Sequence, residues 1–285
     1  MKDFSELTLM DDYMFGQVMR NPRYLKPLIE FILKIKVRKI ELIEPQKHLK
    51  EKYSAKGVYL DLFVEDENNV IYNVEVQASN KHNLPRRMRY YQSIIDLHVL
   101  SPGADYSNLN TSYIIFICNY DPYNLGRYVY TFENRCLEKL DLPFGDGTVK
   151  AVVNTKGTEG SISEELKETI LYLDKGIVSG EFSKELDEAV NQVKSSEERR
   201  LEYMVLMARE TEIREEGRME GRAEGRMEGR MEGRAEGRME GRAEGEKLFG
   251  DLMTRLKASG RIDDAFKAAS DADYRHKLYQ EFRMF

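Results

Sequence analysis

The chain has 285 residues, of which 33% are charged and 41% are hydrophobic, and its formal net charge is −6. This length allows one or two domains with a substantial core. The acidic balance excludes a generally basic nucleic-acid coat protein, although a local basic groove is compatible with it. No apolar run reaches the roughly 18 residues of a membrane span, and the first residues lack the core of a signal peptide. We therefore expect a cytoplasmic protein whose two cysteines, Cys118 and Cys136, are small buried residues.

Two helices are predicted near the start of the chain. Asp11 or Asp12 can cap a helix over residues 13–19, because a short polar acceptor precedes an apolar segment. A second apolar helix is predicted over residues 24–33.

Strand-like segments follow these helices. β-Branched and aromatic residues predict strands over residues 58–64 and 70–77, and the polar residues 66–69 form the turn between them. This segment order predicts an α/β fold with a central mixed sheet flanked by helices. The later predicted elements are a helix over 86–100, a strand covered on both faces over 112–118, and strands at 127–133 and 148–154.

Two acidic side chains lie on the predicted strand pair. Side chains alternate along a strand, so Glu75 and Gln77 share one face, and hairpin-like pairing would bring Asp61 near Glu75. Facing carboxylates repel each other, but they are tolerated when a divalent cation lies between them. Carboxylate oxygens and water suit Mg²⁺ or Mn²⁺. The spacing alone leaves a second interpretation open, in which these side chains line a solvated sheet face.

The segment Leu60-Asp61-Leu62, followed by Glu75-Val76-Gln77, resembles the Asp…Glu-x-Lys motif of the PD-(D/E)XK nuclease superfamily. In particular it resembles the recombination-promoting nuclease (Rpn), or transposase-like, branch, which carries Glu-x-Gln. Other stretches resemble the same branch: Asp12-Tyr13-Met14-Phe15 its opening helix, Arg87-Met88-Arg89-Tyr90-Tyr91-Gln92 its Arg-x-x-Tyr-Tyr helix, and Leu201-Glu202-Tyr203-Met204 with the Gly-Arg-x-Glu tail its C-terminal half.

The resemblance implies a PD-(D/E)XK core and a metal-dependent DNA endonuclease linked to recombination or DNA mobility. Asp61 and Glu75 would bind Mg²⁺, with Mn²⁺ as an alternative, and the backbone carbonyl of Val76 would complete the protein ligands. The catalytic set would be Asp61, Glu75 and Gln77. Gln77 replaces the usual lysine and is neutral, so it can position water but cannot offset phosphate charge, and we expect weak turnover or heavier reliance on the metal. Asp12 either joins the site as an accessory acid or only caps its helix.

A basic helix follows the motif strand. Arg87 and Tyr91 lie one helical turn apart and would bind the substrate backbone, since arginine grips phosphates and tyrosine adds a hydroxyl or a stacking surface. The alternative is a solvated charged face with Tyr90 or Tyr91 in the core. The other basic residues considered for this groove are Lys81, Arg86 and Arg89 on this side, and Lys47, Lys50, Lys52 and Lys56, which either line its other side or form a solvated loop.

Residues 217–244 are seven copies of Gly-Arg-(Met or Ala)-Glu. Arg and Glu are always two residues apart, so a helix would carry like charges at i,i+4, and each Gly costs ~1 kcal/mol relative to Ala. The pattern also offers a continuous glycine groove to another helix. We interpret it as a helix that self-association stabilises; the alternative is a flexible, solvated linker. A shorter product begun at an internal methionine such as Met204 could act as a competing partner.

The sequence therefore predicts a nuclease-like domain over residues 1–160, a helical region over 161–215, the repeat over 216–245 and a small helical unit over 246–285. The expected partners are DNA and a second copy of the chain, through its C-terminal helical and repeat region, with no membrane. The alternative function is a non-catalytic, self-associating regulatory protein on a nuclease-like scaffold. A nucleotide hydrolase is disfavoured, because the sequence lacks Gly-x-x-x-x-Gly-Lys.

Overall fold

The computed structural model describes residues 2–49 and 58–284, and the chain forms two compact units, Met1–Val205 and Leu206–Phe285. The N-terminal unit contains the predicted motif strands. The C-terminal unit contains the whole tetrapeptide repeat, residues 217–244.

Helices α1 (Asp12–Met19) and α2 (Pro22–Leu33) begin the N-terminal unit, close to the predicted bounds. Asp11 is the residue before α1, but its carboxylate accepts from the Thr8 backbone nitrogen at 2.6 Å and pairs with Lys2. Asp12 is the first residue of α1, so the prediction that it caps the helix is wrong. An acid at this position is still favourable, because its charge lies at the positive end of the helix dipole.

The sheet has six strands, in the order β1-β2-β3-β4-β6-β5. Neighbours β1, β2 and β3 are antiparallel, β3, β4 and β6 are parallel, and β5 runs antiparallel to β6. Helix α3 (Leu84–Val99) makes the crossover from β3 to β4. The predicted mixed sheet flanked by helices is therefore confirmed. The strands are β1 (Ile40–Leu49), β2 (Val58–Asp66), β3 (Ile71–Gln77), β4 (Ser112–Cys118), β5 (Val129–Phe132) and β6 (Thr148–Asn154).

Strand β1 replaces part of the predicted basic loop. Lys47 belongs to this strand, and its Nζ lies 2.9 Å from a Glu44 carboxylate oxygen and 3.9 Å from the centre of the Phe63 ring. Its side chain is only 12% exposed. The interpretation of Lys47 as a solvated loop residue is therefore wrong, and its charge is already paired. The other members of that predicted cluster, Lys50, Lys52 and Lys56, lie outside the described residues.

One face of the sheet packs against α3. The helix contributes a stripe of buried apolar residues at helical spacing, and the sheet contributes residues from β2, β4 and β6. Burying this apolar surface stabilises the layer by about 25 cal/mol per Å². Cys118 is buried in the same cluster, as predicted, whereas Cys136 is only half-buried, contrary to the prediction. The helix residues are Leu84, Met88, Tyr91, Ile94 and Ile95, and those of the strands include Phe63, Ile114, Phe116 and Val152.

Helices α4 (Glu164–Lys175), α5 (Glu181–Lys194) and the first turns of α6 (Glu197–Ala258) complete the N-terminal unit. Tyr203 on α6 is buried, and its ring centre lies 5.7 Å from that of Phe4 and 5.2 Å from that of Tyr13. Its hydroxyl donates to the Lys2 carbonyl at 3.0 Å. The start of α6 is therefore part of the nuclease-like core.

The C-terminal unit consists of the remainder of α6, α7 (Ile262–Ser270) and α8 (Ala272–Glu281). Its small core contains Leu252, Leu256, Ala268 and Leu278. Residues 217–244 lie within the continuous helix α6, and all of them are exposed. The helical interpretation of the repeat is thus confirmed over the flexible linker. None of the helices that the structure describes has the length and apolar character of a membrane span.

Candidate active site

The predicted acidic pair lies where strands β2 and β3 stop pairing. Their backbone ladder runs from Glu65 opposite Ile71 to Leu62 opposite Val74. One step further, Asp61 faces Glu75, and side chains replace the ladder. Glu75 Oε1 accepts from the Asp61 backbone nitrogen at 2.9 Å. Reciprocally, Asp61 Oδ2 accepts from the backbone nitrogen of Val76 at 3.0 Å.

These two bonds satisfy the backbone donors that the end of the ladder leaves open, as buried N–H groups require. They also hold the two carboxylates side by side. The structure therefore brings Asp61 and Glu75 together as the hairpin argument predicted, and the neighbouring Val76 takes part through its backbone.

The pair is poorly suited to carrying two negative charges. Glu75 is fully buried and Asp61 is half-buried. Burial, followed by the charge of Asp12, raises the pKa of Asp61 from 3.8 to about 7. Burial, followed by the charge of Asp61, raises the pKa of Glu75 well above its usual range. A cation placed between the carboxylates would relieve this cost, because it favours their charged forms.

Asn73 is a buried neighbour of Glu75 that the sequence analysis did not assign to the site. With its amide nitrogen turned toward them, Asn73 donates to the Leu62 carbonyl and to Glu75 Oε1, both at 3.2 Å. Its position two residues before Glu75, on the same strand face, was the available signal.

Arg87 of α3 lies inside the site and contacts both motif side chains of β3. Its Nη2 lies 3.1 Å from Glu75 Oε2, and its Nη1 donates to Gln77 Oε1. Because arginine has only donors, the oxygen of the Gln77 amide must face it. The amide nitrogen of Gln77 donates in the other direction, to the Ser79 carbonyl at 2.7 Å.

Tyr91 and Phe116 hold the guanidinium of Arg87 in place. Arg87 Nε donates to the Tyr91 hydroxyl at 2.9 Å, and the guanidinium carbon lies 5.0 Å from the centre of each ring. Burial, followed by the charge of Glu75, raises the pKa of Tyr91 to about 12, so its hydroxyl stays protonated. Since the Tyr91 ring is buried in the core, it presents no stacking surface to a base, and only its hydroxyl reaches the site. Direct substrate contact by Tyr91 therefore stays a prediction without geometric support, whereas Arg87 keeps a partly exposed side chain.

Asp12 is exposed at the start of α1, and its charge acts on Asp61. Arg86 and Arg89 lie on the exposed side of α3, and Tyr90 is 37% exposed. The site is thus an acidic pair with one embedded guanidinium.

The donor set suits a hard divalent cation. Asp61 Oδ1 has no hydrogen bond among the described residues, and the Val76 carbonyl points to the same side of β3 as the nitrogen that reaches Asp61. Within the described part of the chain, no group of three or more His, Cys, Asp or Glu side chains could hold a metal. The oxygen donors present, two carboxylates and a backbone carbonyl, are of the kind that hard divalent cations bind.

Comparison with known proteins identifies this region. Residues 10–138 match the model of a family described as PD-(D/E)XK nuclease family transposase. The matched segment includes both acids, Gln77 and Arg87, and it ends between β5 and β6. No curated protein and no solved structure matches the chain. Nucleases of the PD-(D/E)XK type generally use divalent metal ions. With the mixed sheet and the acidic pair on its motif strands, residues 10–138 of this chain are similar to the PD-(D/E)XK nuclease family transposases.

Proposed function

We propose that this protein is a metal-dependent DNA endonuclease that hydrolyses phosphodiester bonds during recombination or DNA mobility. The observation that carries the proposal is the reciprocal pair of hydrogen bonds that joins Asp61 to Glu75 at the end of the β2–β3 ladder. The family match supports the nuclease class, and the paired acids supply the oxygen donors that such chemistry requires.

Asp61, Glu75 and the backbone carbonyl of Val76 would hold the ion, with Mg²⁺ as the first choice and Mn²⁺ as the second. When bound, such an ion polarises the scissile phosphate and lowers the pKa of a coordinated water. Asp61 must lose its proton to act as a ligand, so ion binding is coupled to release of the proton that its raised pKa retains. Asn73 orients the Glu75 carboxylate by donating to Oε1.

Two further parts of the proposal concern partners. DNA is the substrate, and the exposed α6 mediates self-association of the chain. The supporting observation for self-association is the continuous exposed helix with a glycine at every fourth position. Burial against a second helix would compensate the low helix propensity of those glycines.

One observation favours the alternative, a non-catalytic regulatory protein on the same scaffold. Glu75 is fully buried, and its Oε2 is already paired with Arg87. In a silent site, that ion pair would be the permanent state of Glu75, and no metal would replace it.

Plasmid nicking separates the two functions. Supercoiled plasmid is incubated with the protein in Mg²⁺, in Mn²⁺ and in EDTA, and nicked and linear products are measured. We expect cleavage only with a metal, and we expect Asp61→Asn to lower it by at least about 100-fold. Asparagine keeps an oxygen that can accept from Val76, so the fold is retained while the charge is lost.

Glu67→Gln is the matched control, because it removes an exposed carboxylate at the opposite end of β2. This variant should cleave like the wild type. A wild-type protein that is inert with both metals, or an Asp61→Asn variant with undiminished cleavage, would count against the endonuclease and in favour of the regulatory protein.

A further inference from the structure

The motif strand β3 supplies no positively charged side chain to the site, although the hydrolysis of a phosphodiester calls for one near the phosphate. Gln77 is neutral, and both ends of its amide are engaged, with the oxygen on Arg87 and the nitrogen on Ser79. A second N–H on the amide nitrogen could still donate to a water or a phosphate, but a neutral amide supplies no positive charge. Gln77 therefore holds its neighbours in place and does not provide the cation itself.

We propose that Arg87 is the positively charged catalytic residue of this site and that Gln77 and Tyr91 are its positioning residues. This inference rests on the proposed endonuclease function. The cation is supplied by α3, and strand β3 supplies only the oxygens that hold it, Glu75 Oε2 and Gln77 Oε1.

The geometry leaves Arg87 able to bind a phosphate without losing these contacts. A guanidinium has five N–H donors, and the described partners use one each on Nε, Nη1 and Nη2. The two remaining N–H donors and a side chain that is 30% exposed are available to phosphate oxygens. Arginine binds phosphate through such planar pairs of donors.

The contacts of Tyr91 and Phe116 hold the Arg87 guanidinium in one position. The Tyr91 hydroxyl fixes Nε, and the rings of Tyr91 and Phe116 lie at equal distance from the guanidinium. Aromatic rings also favour the cation electrostatically, more so where water is excluded. A donor held in advance at a position where negative charge develops stabilises a transition state more than a mobile one.

Charge relocation provides the test. Arg87→Gln should lower metal-dependent nicking by about 100-fold, the usual effect of losing one charge-stabilising donor. Adding Gln77→Lys in the same chain should restore at least about 10-fold of that loss, because a lysine at position 77 places a cation beside the acids again. Arg87→Lys should retain intermediate activity, because it keeps the charge and loses the planar donors.

Arg23→Gln is the matched control. It breaks an ion pair in which Arg23 Nη2 of α2 lies 2.7 Å from Glu185 Oε1 of α5, and neither helix supplies a residue of the site. Its nicking rate should equal that of the wild type. Thermal unfolding of every variant shows whether a loss of activity is a loss of fold. In the double variant, the lysine introduced by Gln77→Lys gives Glu75 a new ion-pair partner, so the fold is supported when Arg87 is replaced.

Binding of a labelled DNA duplex, measured by anisotropy in the Asp61→Asn background, is the second readout. Arg87→Gln should weaken this binding, whereas a purely structural role in holding Glu75 would leave it unchanged in a folded variant. If the wild type is active and a folded Arg87→Gln variant is equally active, the assignment of Arg87 is overturned while the endonuclease proposal stands. Failure of Gln77→Lys to restore any activity would also overturn it. An inert wild type would instead overturn the endonuclease on which it rests.

Discussion

At the residue scale, the central feature is a conflict between charge and burial at Asp61 and Glu75. The charge of Asp61 raises the pKa of Glu75, the charge of Asp12 raises the pKa of Asp61, and burial contributes the largest part of both shifts. A protein selected only for stability would not keep two adjacent acids where the pairing of two interior strands ends, since buried like charges are costly. The cost is consistent with a site that is completed by a cation.

This conflict predicts that Asp61→Asn stabilises the fold while it removes cleavage. Between its ordinary value of 3.8 and the folded value of about 7, Asp61 binds a proton in the folded state that the unfolded chain has released. The contribution of the Asp61 carboxyl to the free energy of unfolding is therefore fully present below pH 4 and is lost as the pH rises through 7. Asparagine does not titrate, so the variant should be more stable than the wild type by roughly 2 kcal/mol at pH 8, and the difference should shrink toward pH 4.

Urea unfolding in EDTA at pH 5 and pH 8 measures the difference, with Glu67→Gln as the control carboxylate. The pKa of Glu75 is also raised, so Glu75 also makes stability fall as the pH rises. The stability of the Asp61→Asn variant should therefore depend on pH less steeply than that of the wild type, without becoming independent of pH. A stability gap that does not grow with pH would show that the Asp61 carboxyl is not buried beside a second acid.

The meeting of Asp61 with Glu75 could be predicted from sequence because it is local. A short turn fixes the register of a hairpin, and alternation then fixes which side chains face each other. The position of Arg87 could not be predicted in the same way. It depends on the crossover of α3 and on the parallel register that places Phe116 beside Glu75, and neither is written in adjacent residues.

At the element scale, two segments show how composition misleads. The basic residues before β2 suggested a loop or a groove. The first of them, Lys47, instead belongs to an edge strand, β1, which pairs only with β2 in the described sheet. Edge strands tolerate lysine and proline because one row of their backbone groups is free. The repeat has the opposite problem. Its glycines suggest a linker, but its four-residue period is close enough to a helical turn to continue α6.

The row of glycines on α6 is not a straight seam. Four residues advance an α-helix by 400°, so the row turns by about 40° with each copy. Two straight helices could therefore share only a few glycines where they cross, at an angle of the kind seen for Gly-x-x-x-Gly contacts. The self-association that we propose would thus be a crossing with many equivalent registers.

Replacing the central glycines tests this arrangement. A Cβ built at Gly225, Gly229 or Gly233 meets no described atom within 4 Å, so Ala is tolerated in the single chain. The triple Ala variant should raise helical circular dichroism and stabilise α6 by ~1 kcal/mol per site. If a second chain approaches the glycine row, the same variant should weaken self-association, measured by light scattering over a range of protein concentrations.

The control for this experiment is Met227→Ala with Met231→Ala, since other copies of the repeat already carry Ala at the equivalent position. This control should leave the measured mass unchanged. A triple glycine variant that associates as strongly as the wild type would place any contact on another surface of the helix.

At the scale of the whole molecule, the division falls at Val205, within α6 and not at a predicted boundary. The compositional boundaries at 160, 215 and 245 follow the residue types, whereas the compact units follow packing. Tyr203 explains the difference, because its contacts with Phe4 and Tyr13 tie the first turns of a long polar helix to the N-terminal unit. Long-range aromatic contacts of this kind have no signal in local composition.

Truncation on either side of Tyr203 separates nuclease function from association. A chain that ends at Val205 keeps this packing and should fold, cleave plasmid at the wild-type rate and behave as a monomer in light scattering. A chain that ends at Leu201 loses the buried Tyr203 ring and the Glu202 carboxylate that accepts from the Tyr13 hydroxyl at 3.2 Å. Its stability to urea should be lower by about 3 kcal/mol, the usual cost of removing a large buried aromatic side chain.

Tyr203→Ala in the full chain is the matched variant, and it should show most of the same loss without a change in association. Equal stability of the two truncated chains would mean that α6 does not contribute to the N-terminal core. An oligomer formed by the chain ending at Val205 would instead place self-association outside the repeat.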